Sequence, residues 1–459
     1  MLKIIKKQLP VELTEEGAVS VRESLQASYN SLLYKVRLEY LNRLGLEPGA
    51  CNFNETMKTS SLTLGELYLL GDGTISYIKA KRGEGMIQAG VITNGDAHEA
   101  EGFFNKVRDI ISGISNNVFD WQISEDQIPL EVEDAKVEME PVTPEQITAA
   151  KALVDRESRQ LFEQIKRAGS IFLNKIECSD RAVMEERIHH FTDLGLLNTD
   201  YAVLCHRTGQ QILRVSDKAT IDESSQKAFK CFICGSPIAD ESIEEVLACT
   251  ESGSAMLSDR AWLVILVRGI FEEMGIPCNS MNIYRSADLP VQIFLSINGL
   301  RYLFVLCTEA MTLDQAYLVG AHLKAYKLDS AVIISTEKIT TLMRSHLEQI
   351  SGDTKFNFLD NIDNISADLQ KIIHDQQREY LRQQLQDLVC LTKVDVASMV
   401  LKRVLPVAEK ESVLPSAVVD TVAHVVDTVA QIEPPVTEVI EEVGLDEEET
   451  KHGKKNKKK

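Results

Sequence analysis

Residues 288–336, DLPVQIFLSINGLRYLFVLCTEAMTLDQAYLVGAHLKAYKLDSAVIIST, decide the fold of this chain. Two apolar runs meet at Asn298-Gly299, a dipeptide that favours a tight β-hairpin turn. A run with helical spacing follows over 312–326, and the apolar segment 330–336 is typical of a buried strand. The order strand, turn, strand, helix, strand predicts an α/β core with helices on both faces of the sheet.

The same order resembles the core of the restriction-endonuclease-like fold, the PD-(D/E)xK nuclease superfamily, which implies such a domain over residues 255–352. Members of that superfamily hold Mg²⁺ between an aspartate on one hairpin strand and a glutamate on the next, while a lysine activates water. In this chain those three places fall on Gln292, Val305 and Cys307. Glutamine carries no charge, valine has no donor atom, and sulfur is too soft for magnesium. The resemblance therefore implies a nuclease-like domain that has lost its catalytic residues.

A nuclease with relocated catalytic residues remains an alternative. It requires Asp288 and Glu309 to converge on one metal ion, with Lys324 within reach. The sequence has no G-x-x-x-x-G-K-[ST], no G-x-G-x-x-G and no G-x-S-x-G motif that would indicate another catalytic centre. Whether the chain is an enzyme stays open, although the missing acids favour a pseudo-nuclease.

Upstream, residues 144–215 carry helical patterns in quick succession and then two β-rich runs, DYAVLCH and GQQILRV. We expect one long helix from Pro144 to Ala168, a short helix over 170–175, and a third helix capped by Ser179. Three helices followed by a strand pair resemble a winged helix-turn-helix domain.

That resemblance implies that the third helix enters a major groove of DNA. The candidate nucleic-acid-binding residues on this helix are Arg181 and Arg187. Carboxylates of the same region offset their charge, namely Asp180, Glu185, Glu186 and Asp193. A helix that binds DNA usually has a net basic face, so protein contact or a scaffolding role stays open beside DNA binding.

Residues 201–251 overlap this unit and resemble a zinc ribbon with one ligand missing. The run Cys-Phe-Ile-Cys-Gly at 231–235 places two thiolates on one side of a tight loop, and Cys-His-Arg-Thr-Gly at 205–209 supplies a third. Tetrahedral zinc needs four donors. The candidate ligands are Cys205, Cys231, Cys234 and Cys249, with His206 as the other choice for the fourth place. Structural zinc is the implied cofactor; a ribbon without metal and a redox Cys-x-x-Cys pair remain alternatives.

The first 130 residues predict a small α+β unit. An amphipathic helix is expected over 21–44, a hairpin turn at Asp72-Gly73, and a second helix over 98–111. Residues 131–143 are acidic, contain proline and show no core pattern, which indicates a linker.

The C-terminal part divides into two segments. Residues 361–405 keep helical spacing and predict a helical region. Residues 406–459 are rich in valine, glutamate and lysine and predict a disordered tail. Within it, residues 416–432 repeat VVDTVA at a heptad offset. Both 361–405 and 416–432 are candidate segments for contact with a protein partner.

Composition limits the class of protein. At 459 residues the chain predicts several domains, so its expected fold class is multidomain α/β and α+β. The net charge of −20 means that any contact with DNA must come from a local basic surface. No run of eighteen apolar residues occurs, so no membrane insertion is expected. We expect no secretory signal at the start, and nine cysteines would then fit reduced thiols or metal ligands in the cytoplasm.

Three functions follow as hypotheses. The first is a non-catalytic protein that binds nucleic acid or a partner through an inactivated nuclease-like domain. By analogy this combination is similar to accessory proteins of bacterial defence or mobile-element systems. The second is an active metal-dependent nuclease with relocated residues, and the third is a purely structural assembly subunit. Salt-sensitive DNA binding separates the first from the third, because phosphate contacts release counterions.

Overall fold

The computed structural model describes residues 2–43, 61–95, 98–124, 130–178, 180–226, 229–352, 354–392 and 395–404. Its mixed α/β architecture contains three sheets among these residues. The predicted tail over 406–459, with its valine repeat at 416–432, lies outside the described residues.

The first sheet has six strands in the order β2-β3-β4-β5-β1-β6, and each pair of neighbours is antiparallel. Its strands are β1 (Lys3–Leu9), β2 (Asn30–Ser31), β3 (Leu62–Leu69), β4 (Ile75–Lys81), β5 (Ile87–Thr93) and β6 (Gln122–Ile123). The helices of this unit are α1 (Glu15–Gln26), α2 (Leu32–Arg43) and α3 (Ala100–Ser115). Buried side chains of α1 and α3 pack on one face of the sheet.

The turn predicted at Asp72-Gly73 is confirmed, since it joins β3 to β4 and Gly73 has a φ of +82°. The single helix expected over 21–44 is wrong. Asn30 and Ser31 pair with β3 instead and separate α1 from α2. A pairing with a distant strand thus overrides the local helical spacing.

The second sheet has four strands in the order β10-β9-β11-β8, again with antiparallel neighbours. Its strands are β8 (Ser170–Phe172), β9 (Leu197–Leu204), β10 (Gln211–Val215) and β11 (Ser242–Cys249). The accompanying helices are α4 (Pro144–Ala152), α5 (Arg156–Ala168), α6 (Arg181–Asp193) and α7 (Lys218–Gln226).

Three local expectations for this unit need correction. The long helix is divided into α4 and α5, because Asp155 caps the second helix through the amide of Ser158 at 2.8 Å. Residues 170–175 are not a helix, since β8 pairs with β11 before a single 3-10 turn. Ser179 lies outside the described residues, and Asp180 caps α6.

The third sheet has the order β16-β15-β14-β13-β12-β7. Its strands are β7 (Lys136–Val137), β12 (Met281–Tyr284), β13 (Val291–Ile297), β14 (Leu300–Cys307), β15 (Ser330–Ser335) and β16 (Lys355–Leu359). Its helices are α8 (Glu251–Leu257), α9 (Ala261–Glu273), α10 (Leu313–Ala325) and α11 (Thr341–Ser351). Strands β12 to β14 are antiparallel, whereas β14, β15 and β16 are parallel.

The hairpin turn at Asn298-Gly299 is confirmed: both residues have positive φ, 55° and 91°, as a type I′ turn requires. The segment expected as a linker behaves differently, because its residues 136–137 form β7 on the edge of the third sheet. The guanidinium of Arg268 holds this segment through the carboxylate of Glu138 and the carbonyl of Glu140.

One continuous core joins the second and third sheets, and it includes Phe162 of α5, Leu197 of β9 and Phe304 of β14. The two units are therefore packed as one body. Among the described helices, none is long and apolar enough to cross a membrane.

The last two helices are α12 (Ile365–Thr392) and α13 (Val396–Val404). At 28 residues, α12 is about 42 Å long. Its first half buries Ile365 and Leu369 in the core of the third sheet, and its second half buries Leu381 and Leu385 against the first sheet. The predicted helical region at 361–405 thus covers a face of the N-terminal unit, together with α13.

Candidate functional site

Two short loops of similar geometry project beyond the second sheet. In the first, the amide of Cys205 donates to the carbonyl of Gln210 at 2.8 Å, and the amide of Gly209 donates back to the carbonyl of Cys205 at 2.7 Å. In the second, Cys231 and Gly235 make the equivalent contacts at 2.7 and 2.8 Å. Both glycines have positive φ, which side chains with a Cβ rarely adopt. Each loop therefore presents a cysteine thiol at a tight turn.

Four ligand atoms meet between these loops. The Sγ atoms of Cys205, Cys231 and Cys234 and one carboxylate oxygen of Glu241 all lie within 4.8 Å of one another. A zinc ion with bonds of about 2.3 Å places tetrahedral ligands about 3.7 Å apart, so a small contraction would complete the site. In the part of the chain that the structure describes, this is the one group of three or more His, Cys, Asp or Glu side chains able to hold a metal.

Glu241 was missed by sequence reasoning, which placed Cys249 in the set. Cys249 ends β11, about 26 Å along the strand from Glu241, and its thiol lies 4.0 Å from the carbonyl of Phe162. Glu241 directly precedes the same strand and reaches the loops from its other end. The available signal was a carboxylate seven residues after Cys234, at the start of a β-rich run.

The surrounding hydrogen bonds orient these ligands. The Glu241 carboxylate accepts from the amide of His206 at 2.5 Å and lies 2.9 Å from its Nδ1. The Cys234 thiol donates to the same carboxylate at 2.9 Å, which lowers the pKa of Glu241 to about 2 and raises the pKa of Cys234. A hydrogen bond from Thr208 lowers the pKa of Cys205 to about 7. His206 therefore orients a ligand rather than supplying one.

The chemistry of this donor set fits zinc. Thiolates select soft or borderline cations over magnesium and calcium, and three thiolates with one carboxylate give the four donors that a structural zinc needs. The amide of Ile233 also points at the sulfur of Cys231, at 3.4 Å, as loops that hold metal thiolates commonly do.

The helix predicted to contact DNA is neutralised by neighbouring acids. The guanidinium of Arg181 lies 2.8 Å from the Glu185 carboxylate, and that of Arg187 contacts Asp155 and Glu157 at 3.3 and 2.7 Å. A groove of about 800 Å³ runs beside α6. The charged residues that line it are Arg181, Glu185, Asp193, Glu244 and Glu245. This face is acidic on balance and would repel phosphates.

Gln292, Val305 and Cys307, the positions that the nuclease resemblance singles out, lie on the face of the third sheet that α10 covers. Gln292 is directly opposite Val305, and both are completely buried. The Oε1 atom of Gln292 lies 2.8 Å from Nδ1 of His322 in α10. Burial raises the pKa of the Cys307 thiol to about 12. An amide, an isopropyl group and a neutral thiol in a closed interior cannot hold Mg²⁺.

The alternative catalytic residues belong to no group of three or more possible metal ligands among the described residues. Asp288 and Glu309 are exposed near the start of α10, where Gln315 reaches the backbone carbonyl of Asp288 at 3.2 Å. Lys324 lies nine residues after Gln315 in that helix, about 14 Å along its axis. Among the described residues, no metal-binding group includes Asp288 or Glu309.

Comparisons with known proteins identify no family for this chain. No protein-family model matches the chain, and no curated protein matches it. Among solved structures, it is similar to that of protein VC1899 from Vibrio cholerae, at 14% identity and a TM-score of 0.26. The similarity covers 55% of this chain and 63% of the other, so this chain spans less than two thirds of that protein's length. A TM-score this low does not establish a shared fold.

Proposed function

We propose that this chain is a non-catalytic binding protein, built on an inactivated nuclease-like domain and stabilised by a structural zinc ion. One observation carries the proposal: Gln292, Val305 and Cys307 form a closed, uncharged interior where a nuclease needs exposed acids. The donors that a metal would prefer lie elsewhere, between the loops of Cys205 and Cys231.

Topology supports the nuclease-like part of the proposal. The order β12 to β16, with antiparallel pairing up to β14 and parallel pairing after it, is what the restriction-endonuclease resemblance leads one to expect. Helix α10 supplies the crossover between the parallel strands β14 and β15.

The second sheet supports a winged-helix relationship. Helix α5, strand β8, helix α6 and strands β9 and β10 follow one another in the chain, and the later strand β11 lies between β8 and β9 in the sheet. The proposed zinc lies between β9 and β11, where the wing of such a domain would extend. Zinc would then keep an enlarged wing folded.

A direct experiment tests the catalytic part. Purified protein is incubated with single- and double-stranded DNA and RNA in the presence of Mg²⁺ or Mn²⁺, beside Asp288→Asn and Glu309→Gln. We expect no cleavage by any of the three proteins. Divalent-dependent cleavage that either substitution abolishes would establish the relocated site and overturn the proposal.

A structural assembly subunit is the second candidate, and one surface favours it. Leu313 and Tyr317 of α10 and Leu342 of α11 are large apolar side chains that are about half or more exposed. Such side chains occur at contacts between subunits. Light scattering separates the candidates: a stable oligomer that Tyr317→Ser and Leu342→Ser dissociate, without any nucleic-acid binding, would favour assembly.

A further inference from the structure

We propose that the tip formed by the two cysteine loops binds single-stranded nucleic acid. The tip comprises residues 205–210 and 229–236. Phe229 and Phe232 would stack on bases, and Arg207 and Lys230 would contact phosphates. The inference rests on the proposed function, because zinc would hold the two loops together, and it gives that binding protein a ligand and a surface.

Aromatic exposure is the first observation. Phe232 is 78% exposed and Phe229 is 56% exposed, although burial of a phenylalanine ring stabilises a folded protein. Phe232 lies between the ligands Cys231 and Cys234, so the proposed metal would fix its backbone on both sides. A ring held out in water from a rigid turn is suited to stacking, which contributes about 1–3 kcal/mol per base.

Charge is the second observation. The two loop segments contain the cations Arg207 and Lys230 and no aspartate or glutamate. Both cations are exposed, and neither forms an ion pair within the described residues. By contrast, Arg181, Arg187 and Arg214 of the same unit all contact carboxylates. In this unit the tip therefore offers cations to phosphates where α6 does not.

The ligands do not cancel this charge at the surface. Three thiolates and one carboxylate around Zn²⁺ carry a formal −2, but the sulfurs of Cys205 and Cys231 belong to buried residues, whereas Arg207 and Lys230 stand in solvent. The two cations therefore lie nearer than these buried sulfurs to a ligand that approaches from solution.

Spacing is the third observation. Lys230 and Phe232 are the two chain neighbours of Cys231, so their Cα atoms are at most about 7.6 Å apart. Arg207 follows Cys205 by two residues, and the Cys205 sulfur lies within 4.8 Å of the Cys231 sulfur. A cation and an aromatic ring thus alternate along the second loop, with another cation beside them. Alternating stacking and phosphate contacts suit a single strand, whose bases are free.

The experiment measures binding of the full chain, purified with zinc, to labelled 12-nucleotide oligo-dT, oligo-U and a 12-base-pair duplex at 50 and 200 mM salt. We expect single strands to bind more tightly than the duplex. Phe232→Ala should weaken binding by about 5- to 150-fold, the range that loss of one stacked base implies. Arg207→Gln should reduce the slope of log K against log salt by about 0.7. Tyr34→Ala, which removes an aromatic ring of α2 that is 59% exposed, and Arg181→Gln should leave binding unchanged.

Zinc content, measured on each protein, separates the two proposals. Wild-type protein with one zinc that binds none of the probes, or that binds them as tightly after Phe232→Ala, overturns this inference and leaves the proposed function standing. A wild-type protein without zinc overturns the metal part of the proposed function. Phe232-dependent capture of a protein, with no oligonucleotide binding, would assign the tip to a protein partner and also overturn the inference.

Discussion

The Nδ1 atom of His322 in α10 lies 2.8 Å from the Oε1 atom of Gln292 in β13. Because an amide oxygen can only accept, the imidazole carries a proton on Nδ1. The ring of Tyr284 meets the ring of His322 edge-on at 5.3 Å between centroids. A neutral amide–imidazole pair thus packs among aromatic rings between β13 and α10.

This pair predicts a pH dependence of stability. Burial lowers the pKa of His322 below 6.5, so the unfolded chain takes up a proton that the folded chain resists. The free energy of unfolding should therefore fall as the pH falls below about 6.5, and part of that fall should vanish in His322→Gln. Urea unfolding at pH 7.5 and pH 5.0 measures it. Burial also lowers the pKa of His374, so His374 contributes equally to the pH dependence of stability in both proteins. Equal pH dependence in the two proteins would contradict the prediction.

Cysteine reactivity should report whether the hairpin face is closed. Because burial raises the pKa of the Cys307 thiol to about 12, very little of this thiol is ionised at pH 8. We expect iodoacetamide to modify Cys307 in the native protein at least about 100-fold more slowly than the exposed Cys178. Peptide mass spectrometry over time measures both rates, and denaturant should equalise them. Rapid labelling of Cys307 would indicate an open site and revive the nuclease alternative.

Loss of a metal ligand should destabilise the loops and leave the Cys249 region intact. Cys231→Ser or Glu241→Gln should reduce the zinc content from about one equivalent to less than about a tenth. Either substitution should also lower Tm by about 5 °C or more, because a loss of about 2 kcal/mol lowers the Tm of a domain of about 150–250 residues by about 4–8 °C. Cys249→Ser is the matched control, because Cys249 lies outside the ligand group. Elemental analysis and thermal melts decide. Zinc lost only in the Cys249 variant would mean that the ligand set is wrong.

Close packing of α8 gives a stability prediction. A Cβ atom at Gly253 would lie 2.2 Å from the backbone carbonyl oxygen of Leu196, so Gly253→Ala should destabilise the chain by about 1–3 kcal/mol. Gly113 in α3 has nothing within 4 Å, and Gly113→Ala should stabilise by about 0.5–1 kcal/mol through helix propensity. Urea midpoints of the two variants should move in opposite directions. A shift in the same direction would argue against this packing.

Local turn chemistry explains which parts of the fold could be predicted. Asn298-Gly299 and Asp72-Gly73 need only their own backbone preferences, and both turns join the expected strands. The division of the first helix at Asn30-Ser31 depends on pairing with β3, more than thirty residues away. No local periodicity encodes such a partner, so tertiary pairing prevailed over helical spacing.

The candidate site, too, could be predicted only in part from the sequence. Cys205, Cys231 and Cys234 stand in short motifs whose loop geometry is intrinsic, and the structure brings them together. Glu241 joins them because β11 begins beside β9, with Ser242 opposite Leu204. That register cannot be inferred from the residues between them. The carboxylate seven residues after Cys234 is a weak signal in a chain with 69 aspartate and glutamate residues.

Helix α12 packs against both the first and the third sheet, and this limits which parts of the chain can fold separately. Its second half and α13 complete the interior of the first sheet, while its first half is anchored beside the third sheet. The N-terminal unit therefore is not an independent domain. If recombination transferred residues 1–130 alone, the apolar face of the first sheet that α12 and α13 cover would be exposed to water. The N-terminal unit and the two C-terminal helices must therefore be inherited together.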